Sequence, residues 1–487
     1  MPAEINLFIF RRDLRFHDNT ALIRCVNTGR PVALAFIFDP RQLEAPKNKW
    51  RSQASIKFMV ESLEALEMQG SSGSPESTRG PTINYFTGPA EDVVERILEA
   101  NEHIKAVYFN KDYTPFSIKR DKAIEKACKA HGVALHTFHD TLILDGPKTK
   151  KDGTPYLVFG PYYKFIKGFK PSAPRPVPAF KTVRINIDNG GPSKNTGAGV
   201  KNSGEGARTG LQYIQGASNI SATGEAVPLA PIIKGGRANG LKLLAKIPKR
   251  ASYTKNRDFL AYETTLLSAH NKFGTISPRE LYKTATASDP TLAKEIFWRE
   301  FFYTLMIYDK RVLKGSYTPK YDRIRWKGHR DYFDAWVNGE TGFPVVDACM
   351  RQLNAQNYMH NRGRMIVASF LIKNMQINWR HGENYFATKL VDYDPAQNNY
   401  NWQTVGGFGP FAMPYFRVFS TVSQSKRFDP DCEYIKKWVP ELTSLRPEAI
   451  HNWPTKWRAH IDKVDYFEPI LDEKATKAEW VKRFRKA

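Results

Sequence analysis

The chain has 487 residues, more than a single hydrophobic core usually supports, so two lobes are expected. Lys and Arg number 73 and Asp and Glu 49, which gives a net charge of +24 and favours a polyanionic partner. Nucleic acid is the preferred candidate. The alternatives are membrane lipid headgroups and a surface that is basic only for solubility. The sequence has no apolar run of about 18 residues and no signal peptide, which argues against membrane spans and secretion. Its Cys and His residues are not at metal-ligand spacing, which argues against disulfides and metal sites. We therefore expect an intracellular protein, cytoplasmic or nuclear.

The beginning of the chain alternates between short apolar runs and segments of helical periodicity. Residues 5–10, 31–38 and 106–109 are nearly continuous apolar runs, typical of strands buried on both faces of a parallel sheet. Helix-length segments separate these runs, which is the pattern of βαβ units. An α/β lobe with a parallel sheet is therefore predicted over residues 1–140.

Residues 141–240 are predicted to connect the two lobes. Their proline-rich part, residues 170–180, should be extended and semi-rigid. Residues 188–240 hold 12 of the 32 glycines and a single aromatic residue, Tyr213, so we expect a mobile insertion with too little apolar surface to offset the entropy of ordering. A glycine-rich phosphate-binding loop is the alternative, but no GxxxxGK[ST] or strand-flanked GxGxxG motif accompanies it.

From residue 241 to 487, aromatic and apolar residues recur at helical spacing and strand-like alternation is scarce, which predicts an all-helical lobe. Polar clusters interrupt it at residues 361–365 (Asn-Arg-Gly-Arg-Met), where a helix is predicted to begin, and at residues 392–394 (Asp-Tyr-Asp), ahead of Trp402. Buried polar groups need partners, and an ordinary structural ion pair such as Arg364 with Asp392 is one explanation. The combination of clusters favours a functional site.

Five ordered motifs resemble the photolyase/cryptochrome family, and within it the class I cyclobutane pyrimidine dimer photolyases. The resemblance covers almost the whole chain except the insertion. It implies a Rossmann-like α/β lobe and an all-helical FAD-binding lobe, with FAD below a cavity that admits a flipped-out pyrimidine dimer. The motifs are residues 10–15 (Phe-Arg-Arg-Asp-Leu-Arg, followed by Asp18-Asn19), 297–301 (Phe-Trp-Arg-Glu-Phe), 341–348 (Thr-Gly-Phe-Pro-Val-Val-Asp-Ala), 358–365 (Tyr-Met-His-Asn-Arg-Gly-Arg-Met) and 414–419 (Pro-Tyr-Phe-Arg-Val-Phe).

The resemblance implies a cofactor site. Residues 264–268 match a phosphate-binding turn whose hydroxyls and backbone N–H groups suit a pyrophosphate, although Thr and Ser are also common helix caps. Asn398 falls where photolyases keep an Asn facing the reactive ring nitrogen of the flavin, whereas plant and insect cryptochromes usually carry Asp or Cys. The matched positions are Tyr253, Thr264, Thr265, Leu266, Leu267, Ser268, Arg364, Asp392 (the expected partner of Arg364), Asp394 and Asn398.

Three tryptophans, Trp326, Trp379 and Trp402, match the family's electron-transfer chain, which photoreduces flavin from the surface inward. Indole is readily oxidised, which suits this role. A tryptophan in a helical core more often serves packing alone, so it is the three matched positions together that favour electron transfer.

The resemblance also implies a substrate side, at which cations bind the DNA backbone, an aromatic ring stacks on an extruded base, and polar groups bind its edge. Six-four photolyases carry His where Asn361 and Met365 stand, so the cyclobutane lesion is expected. Leu292 and Thr404 replace aromatic residues of the family, while Phe408 and Phe411 offer aromatic surface in return. The matched positions are Arg257, Glu295, Trp298, Arg299, Asn361, Arg362, Met365 and Thr404.

The expected function is light-dependent repair of cyclobutane pyrimidine dimers by electron transfer from excited reduced FAD, carried out by a monomer on UV-damaged DNA, with Glu295 and Asn398 assisting the chemistry. A cryptochrome-type photoreceptor without repair activity is the alternative, and a basic flavoprotein that binds nucleic acid without photochemistry is a third. Residues 110–116 resemble the loop where the family holds an antenna chromophore, folate or deazaflavin, and its presence and identity stay open.

Overall fold

The structure, a computed structural model, describes residues 3–44, 46–69, 81–185, 187, 232–249, 253–411, 414 and 416–486. The expected mobile insertion, residues 188–240, lies mostly outside the described residues. Its last part differs from the expectation, because a helix begins at Arg237 and Ile233 is buried in the core of the α/β lobe. Residues 237–240 therefore belong to a packed helix.

The first lobe is a five-stranded, fully parallel sheet in the order β3-β2-β1-β4-β5, which confirms the predicted α/β lobe. All six residues of the central strand β1 are buried, because helices cover both faces of the sheet. The strands are β1 (Ile5–Phe10), β2 (Val32–Phe38), β3 (Ile83–Thr87), β4 (Ile104–Asn110) and β5 (Ala134–Phe138), and the helices are α1 (Thr20–Val26), α2 (Pro40–Leu43), α3 (Gln53–Glu67), α4 (Ala90–Ala100) and α5 (Pro115–Ala130). Helix α6 (Phe159–Ile166) lies in the connection to the second lobe.

The second lobe is helical, as predicted. Its helices are α7 (Arg237–Leu244), α8 (Tyr253–Asn256), α9 (Ser268–Phe273), α10 (Pro278–Ser288), α11 (Pro290–Tyr308), α12 (Arg330–Asn338), α13 (Pro344–Gln356), α14 (Asn361–Ser369), α15 (Trp379–Lys389), α16 (Pro395–Gly406), α17 (Thr421–Phe428), α18 (Glu433–Trp438), α19 (Pro447–His451), α20 (Trp453–Lys456) and α21 (Glu473–Lys486). A π-helical turn (Phe370–Asn374) extends α14, and short 3₁₀ turns occur at Ile247–Lys249, Lys310–Leu313, Pro319–Arg323, Pro440–Leu442, Trp457–Ala459 and Ile461–Lys463.

Buried ion pairs join the two lobes. Arg279, on α10, contacts the carboxylates of Asp18 and Asp140 at 2.7 Å each, and Arg15 contacts Asp140 at 2.6 Å. Burial opposes the charge of Asp140, but the two guanidinium groups outweigh this effect and lower its pKa. Because Asp18 and Asp140 belong to the first lobe, the network holds α10 against it.

The connection between the lobes packs on the helical lobe as well. Phe159 and Ile166 of α6 are buried in one hydrophobic cluster with Phe297 and Phe301 of α11. This contact packs α6 against α11. In the described part of the chain, no helix combines the length and the hydropathy that a membrane crossing needs.

Candidate active site

A cavity of about 290 Å³ lies among the helices of the second lobe. Helices α9, α11, α14, α15 and α16 and the segment before α16 form its walls. Thirteen residues that the sequence analysis assigns to the cofactor, the substrate or electron transfer line this one cavity: Tyr253, Thr265, Leu267, Ser268, Glu295, Arg299, Asn361, Arg364, Met365, Asp392, Asp394, Asn398 and Trp402.

Two helix beginnings bring the polar residues to the cavity. His360 caps α14 by accepting a hydrogen bond from the Arg362 backbone at 3.0 Å, so Asn361 and Arg364 lie on the first turn. Asp394 caps α16 by accepting from the Ala396 backbone at 3.1 Å, and Pro395 occupies the first helical position. Asn398 and Trp402 then follow one and two turns along the same helix, on its cavity side.

The predicted contact between Arg364 and Asp392 is present. The Arg364 guanidinium donates to the two oxygens of Asp392 at 2.9 and 3.2 Å and to the Met359 carbonyl at 2.9 Å. Burial opposes ionisation of Asp392, but the adjacent guanidinium outweighs it and lowers the pKa of Asp392. The cavity wall therefore contains a buried carboxylate whose negative charge is balanced by the guanidinium of Arg364.

Asp394 also has a guanidinium partner, which the sequence analysis missed. Arg12, from the segment after β1, donates to Asp394 at 2.6 Å, and the Tyr303 hydroxyl donates to the same oxygen. Burial opposes ionisation of Asp394, but Arg12 outweighs it and lowers its pKa. The α/β lobe thus supplies the cation that holds this carboxylate in place.

Lys272 and Asn271 on α9 line the cavity and were also missed. The Lys272 ammonium donates to Ser55 at 3.0 Å, and burial, with Arg12 nearby, lowers its pKa to about 7. In the part of the chain that the structure describes, the buried side-chain oxygen of Asn271 has no hydrogen-bond partner. Lys272 lies four residues after Ser268, so helical periodicity would have placed both on one face.

The turn at residues 264–268 has an unusual backbone. Leu266 adopts φ 55°, a left-handed conformation that is uncommon for a non-glycine residue. The turn is held because Leu266 is buried in the core of the α/β lobe and the Thr264 hydroxyl lies 3.1 Å from that of Tyr358. Of the five turn residues, Thr265, Leu267 and Ser268 line the cavity, whereas Thr264 and Leu266 support them from behind.

Asn398 is paired with Glu383 on α15. Its amide nitrogen donates to the backbone carbonyl of Glu383 at 3.1 Å and to the carboxylate at 3.2 Å. Burial raises the pKa of Glu383 to about 7. The pair orients the Asn398 side chain in the cavity, and the local sequence offers no signal for it because the partners are on different helices.

The opening of the cavity carries Asn361, which is exposed, and the ion pair of Arg257 with Glu295. Burial raises the pKa of Glu295 despite the guanidinium of Arg257. Arg362 stands beside this opening, contacts Asp258 at 2.9 Å, and lies over the Phe428 ring at 4.2 Å. Two guanidinium groups therefore stand next to the polar opening.

Three residues of the predicted substrate side are placed differently. Arg299 is buried and donates to the Thr141 and Asn271 carbonyls, so its guanidinium points to the lobe interface although it lines the cavity. The Trp298 ring stacks on Phe159, with centroids 3.6 Å apart and an interplanar angle of 10°, and lies outside the cavity lining. The Thr404 hydroxyl donates to the Tyr400 carbonyl of its own helix at 2.7 Å and faces away.

Of the two phenylalanines expected to restore aromatic surface, only Phe411 lies near Trp298, at 5.9 Å between ring centroids. Phe408 is fully buried, and the centroid of its ring lies 6.5 Å from that of Trp379 and 6.1 Å from that of Trp326. Trp402 is the one predicted tryptophan that lines the cavity. Of the other two on the predicted electron-transfer chain, Trp379 is buried in the core of the helical lobe and Trp326 is half-buried against that core.

Comparison with known proteins agrees with this geometry. Residues 6–179 match the family model described as DNA photolyase, and residues 291–486 match the FAD binding domain of DNA photolyase. The chain is 33% identical to deoxyribodipyrimidine photo-lyase of Alkalihalophilus pseudofirmus, over 95% of this chain and 94% of that protein, and 33% identical to deoxyribodipyrimidine photo-lyase of Halobacterium salinarum, over 99% of each.

A solved structure of the archaeal photolyase from Sulfolobus tokodaii, which contains two FAD molecules, superposes with a TM-score of 0.82. It is 34% identical to this chain and the match covers 99% of this chain and 100% of that one. The similarity extends through both lobes, including the helices that surround the cavity. This chain belongs to the DNA photolyase family.

Proposed function

We propose that this protein repairs cyclobutane pyrimidine dimers in DNA with light, as a deoxyribodipyrimidine photolyase that holds FAD in the cavity. The observation that carries the proposal is the shared cavity: residues assigned to the cofactor (Arg364, Asp392, Asn398) and to the lesion (Glu295, Asn361) line one space. An electron donor and its substrate would meet there without an intervening protein wall.

The lining suits FAD chemically. The hydroxyls of Thr265 and Ser268 and the ammonium of Lys272 are donors for a pyrophosphate, and the unpaired oxygen of Asn271 can accept from a polar ring or ribose. Asn398, oriented by Glu383, would present its amide to the flavin ring. When bound and reduced, FAD supplies a light-absorbing group that can give one electron to the dimer and take it back.

On the lesion side, the residues at the opening have separate tasks. Asn361 is exposed and can hydrogen-bond the edge of an extruded base, while Arg257 and Arg362 can contact the flanking phosphates. The Glu295 carboxyl, whose pKa is raised by burial, can hydrogen-bond the edge of the extruded base beside Asn361. These residues would bind and orient the dimer, and no side chain is required as a nucleophile.

The aromatic side of the opening departs from the family pattern. Leu292 lines the cavity where an aromatic residue is usual, and the ring of Phe159 covers one face of Trp298. A lesion that stacks on Trp298 would have to displace Phe159 or use the other side of the indole. We therefore propose that binding depends more on the polar contacts and on the basic surface than on an aromatic clamp.

Trp402, Trp379 and Trp326 are proposed to carry electrons from the surface to the cavity. Trp402 lies against Gly382 of α15, the helix that begins with Trp379, and the buried ring of Phe408 separates Trp379 from Trp326. Trp326 is half-buried and stands nearest to solvent of the three. This route would reduce bound FAD before repair begins.

Repair is tested by illuminating the protein, with its FAD chemically reduced beforehand, in the presence of a dimer-containing oligonucleotide. We expect thymine absorbance to recover under blue or near-UV light in single-stranded or duplex substrate, and no recovery in the dark. Asn361→Ala should lower repair, while Asn452→Ala, at the surface between α19 and α20, should not. If the oxidised protein is photoreduced but the reduced protein restores thymine in neither substrate, the result would contradict repair and favour the photoreceptor alternative.

A further inference from the structure

Two amide side chains on α16 belong to the cavity wall, and the sequence analysis assigned them no role. Gln397 and Asn401 lie one turn apart on this helix, beside Asp394 and Asn398, and all four line the cavity. Gln397 is half-buried, and Asn401 is exposed, as Asn361 is at the opening. Both amides therefore border the space that the flavin and the lesion would share.

Most hydrogen-bonding groups of these two amides are unused. The Asn401 amide nitrogen donates to the Gln397 backbone carbonyl at 2.8 Å, which leaves its second N–H and its side-chain oxygen without a partner within the described ranges. The Gln397 side chain makes no hydrogen bond with any residue that the structure describes. An amide that lines a cavity in this way is available to a ligand, because it offers both donors and an acceptor.

Helical geometry places the two amides away from the flavin side of α16. Asn398 faces α15, because it donates to Glu383 at 3.2 Å. Successive residues of a helix are rotated by about 100°, so Gln397 and Asn401 occupy the sector between Asn398 and Thr404. Thr404 stands where the family resemblance implies an aromatic residue on the substrate side. The amides are therefore next to the part of the wall that lacks its expected ring.

We propose that Gln397 and Asn401 bind the edge of the extruded pyrimidine dimer, in addition to Asn361 and Glu295. The edge of a pyrimidine carries carbonyl oxygens and N–H groups, and an amide can donate to the former and accept from the latter. These contacts supply part of the binding that a second aromatic ring would otherwise give. The inference rests on the proposed function, because it names residues through which the same cavity recognises the lesion.

The test measures binding in the dark, with the full chain loaded with FAD. The probes are a fluorescent single-stranded oligonucleotide with one thymine dimer and the same oligonucleotide without the dimer. Gln397→Ala and Asn401→Ala should each weaken binding of the dimer probe by about 2- to 10-fold, the effect of losing a neutral hydrogen bond. Binding of the undamaged probe should stay the same, because contacts with the phosphate backbone dominate it.

Two further variants separate hydrogen bonding from shape and from helix stability. Gln397→Met keeps most of the side-chain volume without the amide, and it should weaken binding of the dimer probe as much as Gln397→Ala. Asn452→Ala is the matched control, because Asn452 also donates to a carbonyl four residues earlier, that of Glu448, at 2.9 Å and does not line the cavity. It should bind both probes like the parent. FAD content and photoreduction rate should be unchanged in every variant.

Three outcomes would overturn the proposal. Both alanine variants could bind the dimer probe like the parent, Gln397→Met could bind it like the parent, or the variants could lose FAD, which would assign the amides to the cofactor. The proposed function fails separately, if the parent itself binds the dimer probe no better than the undamaged one. A parent that prefers the dimer, with variants that keep this preference in full, contradicts this inference alone.

Discussion

Asp392 and Asp394 at the cavity each have a guanidinium partner that lowers the pKa of the carboxyl. The Asp392 side chain is 5% exposed and that of Arg364 is 27% exposed, so their pair is far less screened by water than a pair on the surface. Arg364 also holds the Met359 carbonyl. We infer that the pair organises the cavity before FAD binds, and that removing one partner leaves a buried charge.

Arg364→Ala tests this inference. Deleting one partner of a buried ion pair lowers the free energy of unfolding by about 3–5 kcal/mol. We expect a decrease toward the lower end of that range, because Arg364 is partly exposed. FAD content, read from the ratio of flavin to protein absorbance, should fall with it. Arg311→Ala is the control, because the Arg311 side chain is 75% exposed and water screens its pair with Asp309, so its removal should leave stability and FAD content nearly unchanged. Equal effects in the two variants would contradict the inference.

Glu383 should make stability depend on pH. Its pKa is about 7 in the folded protein against an ordinary value of 4.5, so the folded state binds the proton more tightly than the unfolded chain. The stability that this provides is present below about pH 4.5 and is lost as the pH rises through 7. Glu383→Gln stays neutral and can keep the contact with Asn398.

The free energy of unfolding of Glu383→Gln, relative to the parent, should therefore increase by up to about 3 kcal/mol between pH 4.5 and pH 8. Denaturant titrations at several pH values measure this difference directly. Parallel pH profiles for the two proteins would show that Glu383 binds its proton no more tightly in the folded protein than in the unfolded chain, and would contradict the raised pKa.

Sequence reasoning found the residues of the cavity unevenly. Arg364, Asp392 and Asn398 follow from motifs that a resemblance can match, since each lies in a short characteristic run. Arg12 contacts Asp394 across 382 residues, and no local pattern reports such a contact. The position of Phe159 over Trp298 is equally hard to predict, because it depends on how α6 packs on α11.

At the scale of elements, α15 packs against α16 at a glycine, Gly382. A Cβ atom on Gly382 would lie 2.2 Å from the ring of Trp402, so only glycine lets the indole pack against the backbone of α15. Trp379 begins the same helix. The closeness of α15 to α16 thus positions the inner tryptophan relative to its neighbour on the proposed route.

Gly382→Ala should therefore displace Trp402. Overpacking of this kind costs about 1–3 kcal/mol, and we expect both a lower melting temperature and slower photoreduction of bound FAD. Gly160→Ala, on α6, is the control because a Cβ there meets no atom within 4 Å, and it should leave the protein as stable or slightly more stable. A normal photoreduction rate in Gly382→Ala would show that the position of Trp402 does not govern the rate.

Sequence patterns predicted the strands that are buried on both faces of the sheet. The strands β1, β2 and β4 are covered on both faces and read as apolar runs. The edge strand β5 was not singled out, because its residues are half-buried or exposed and resemble a loop in composition. Helix α7 was assigned in part to the insertion, because composition does not reveal that its one glycine, Gly240, packs closely against Ile276 and His270.

For the whole molecule, the main consequence of the fold is that the α/β lobe helps to build the cavity in the helical lobe. Arg12 holds Asp394, Ser55 accepts from Lys272, and the network of Asp18, Asp140 and Arg279 keeps the lobes in register. Separation of the lobes would remove these partners. Stability and cofactor retention should therefore change together.

Arg279→Met tests that coupling. The substitution leaves Asp18 without its guanidinium contact and Asp140 with Arg15 alone. We therefore expect the free energy of unfolding to fall by about 3–5 kcal/mol. FAD should be released at a lower denaturant concentration than in the parent. Arg330→Met removes a side chain that is 91% exposed and should change neither property. If Arg279→Met unfolds earlier but retains FAD as well as the parent, the lobes are not coupled through this network.

The central claim is that one cavity joins a lesion side and a flavin side, with the tryptophans serving only to reduce FAD. Single-flash repair by protein reduced beforehand tests it most directly, with the parent, Asn361→Ala and Trp379→Phe compared on the same dimer-containing oligonucleotide. We expect equal repair per flash by the parent and Trp379→Phe, slower photoreduction of oxidised protein in Trp379→Phe, and a loss of repair in Asn361→Ala at limiting substrate. No repair by the parent, or loss of repair in Trp379→Phe despite reduced FAD, would contradict the account.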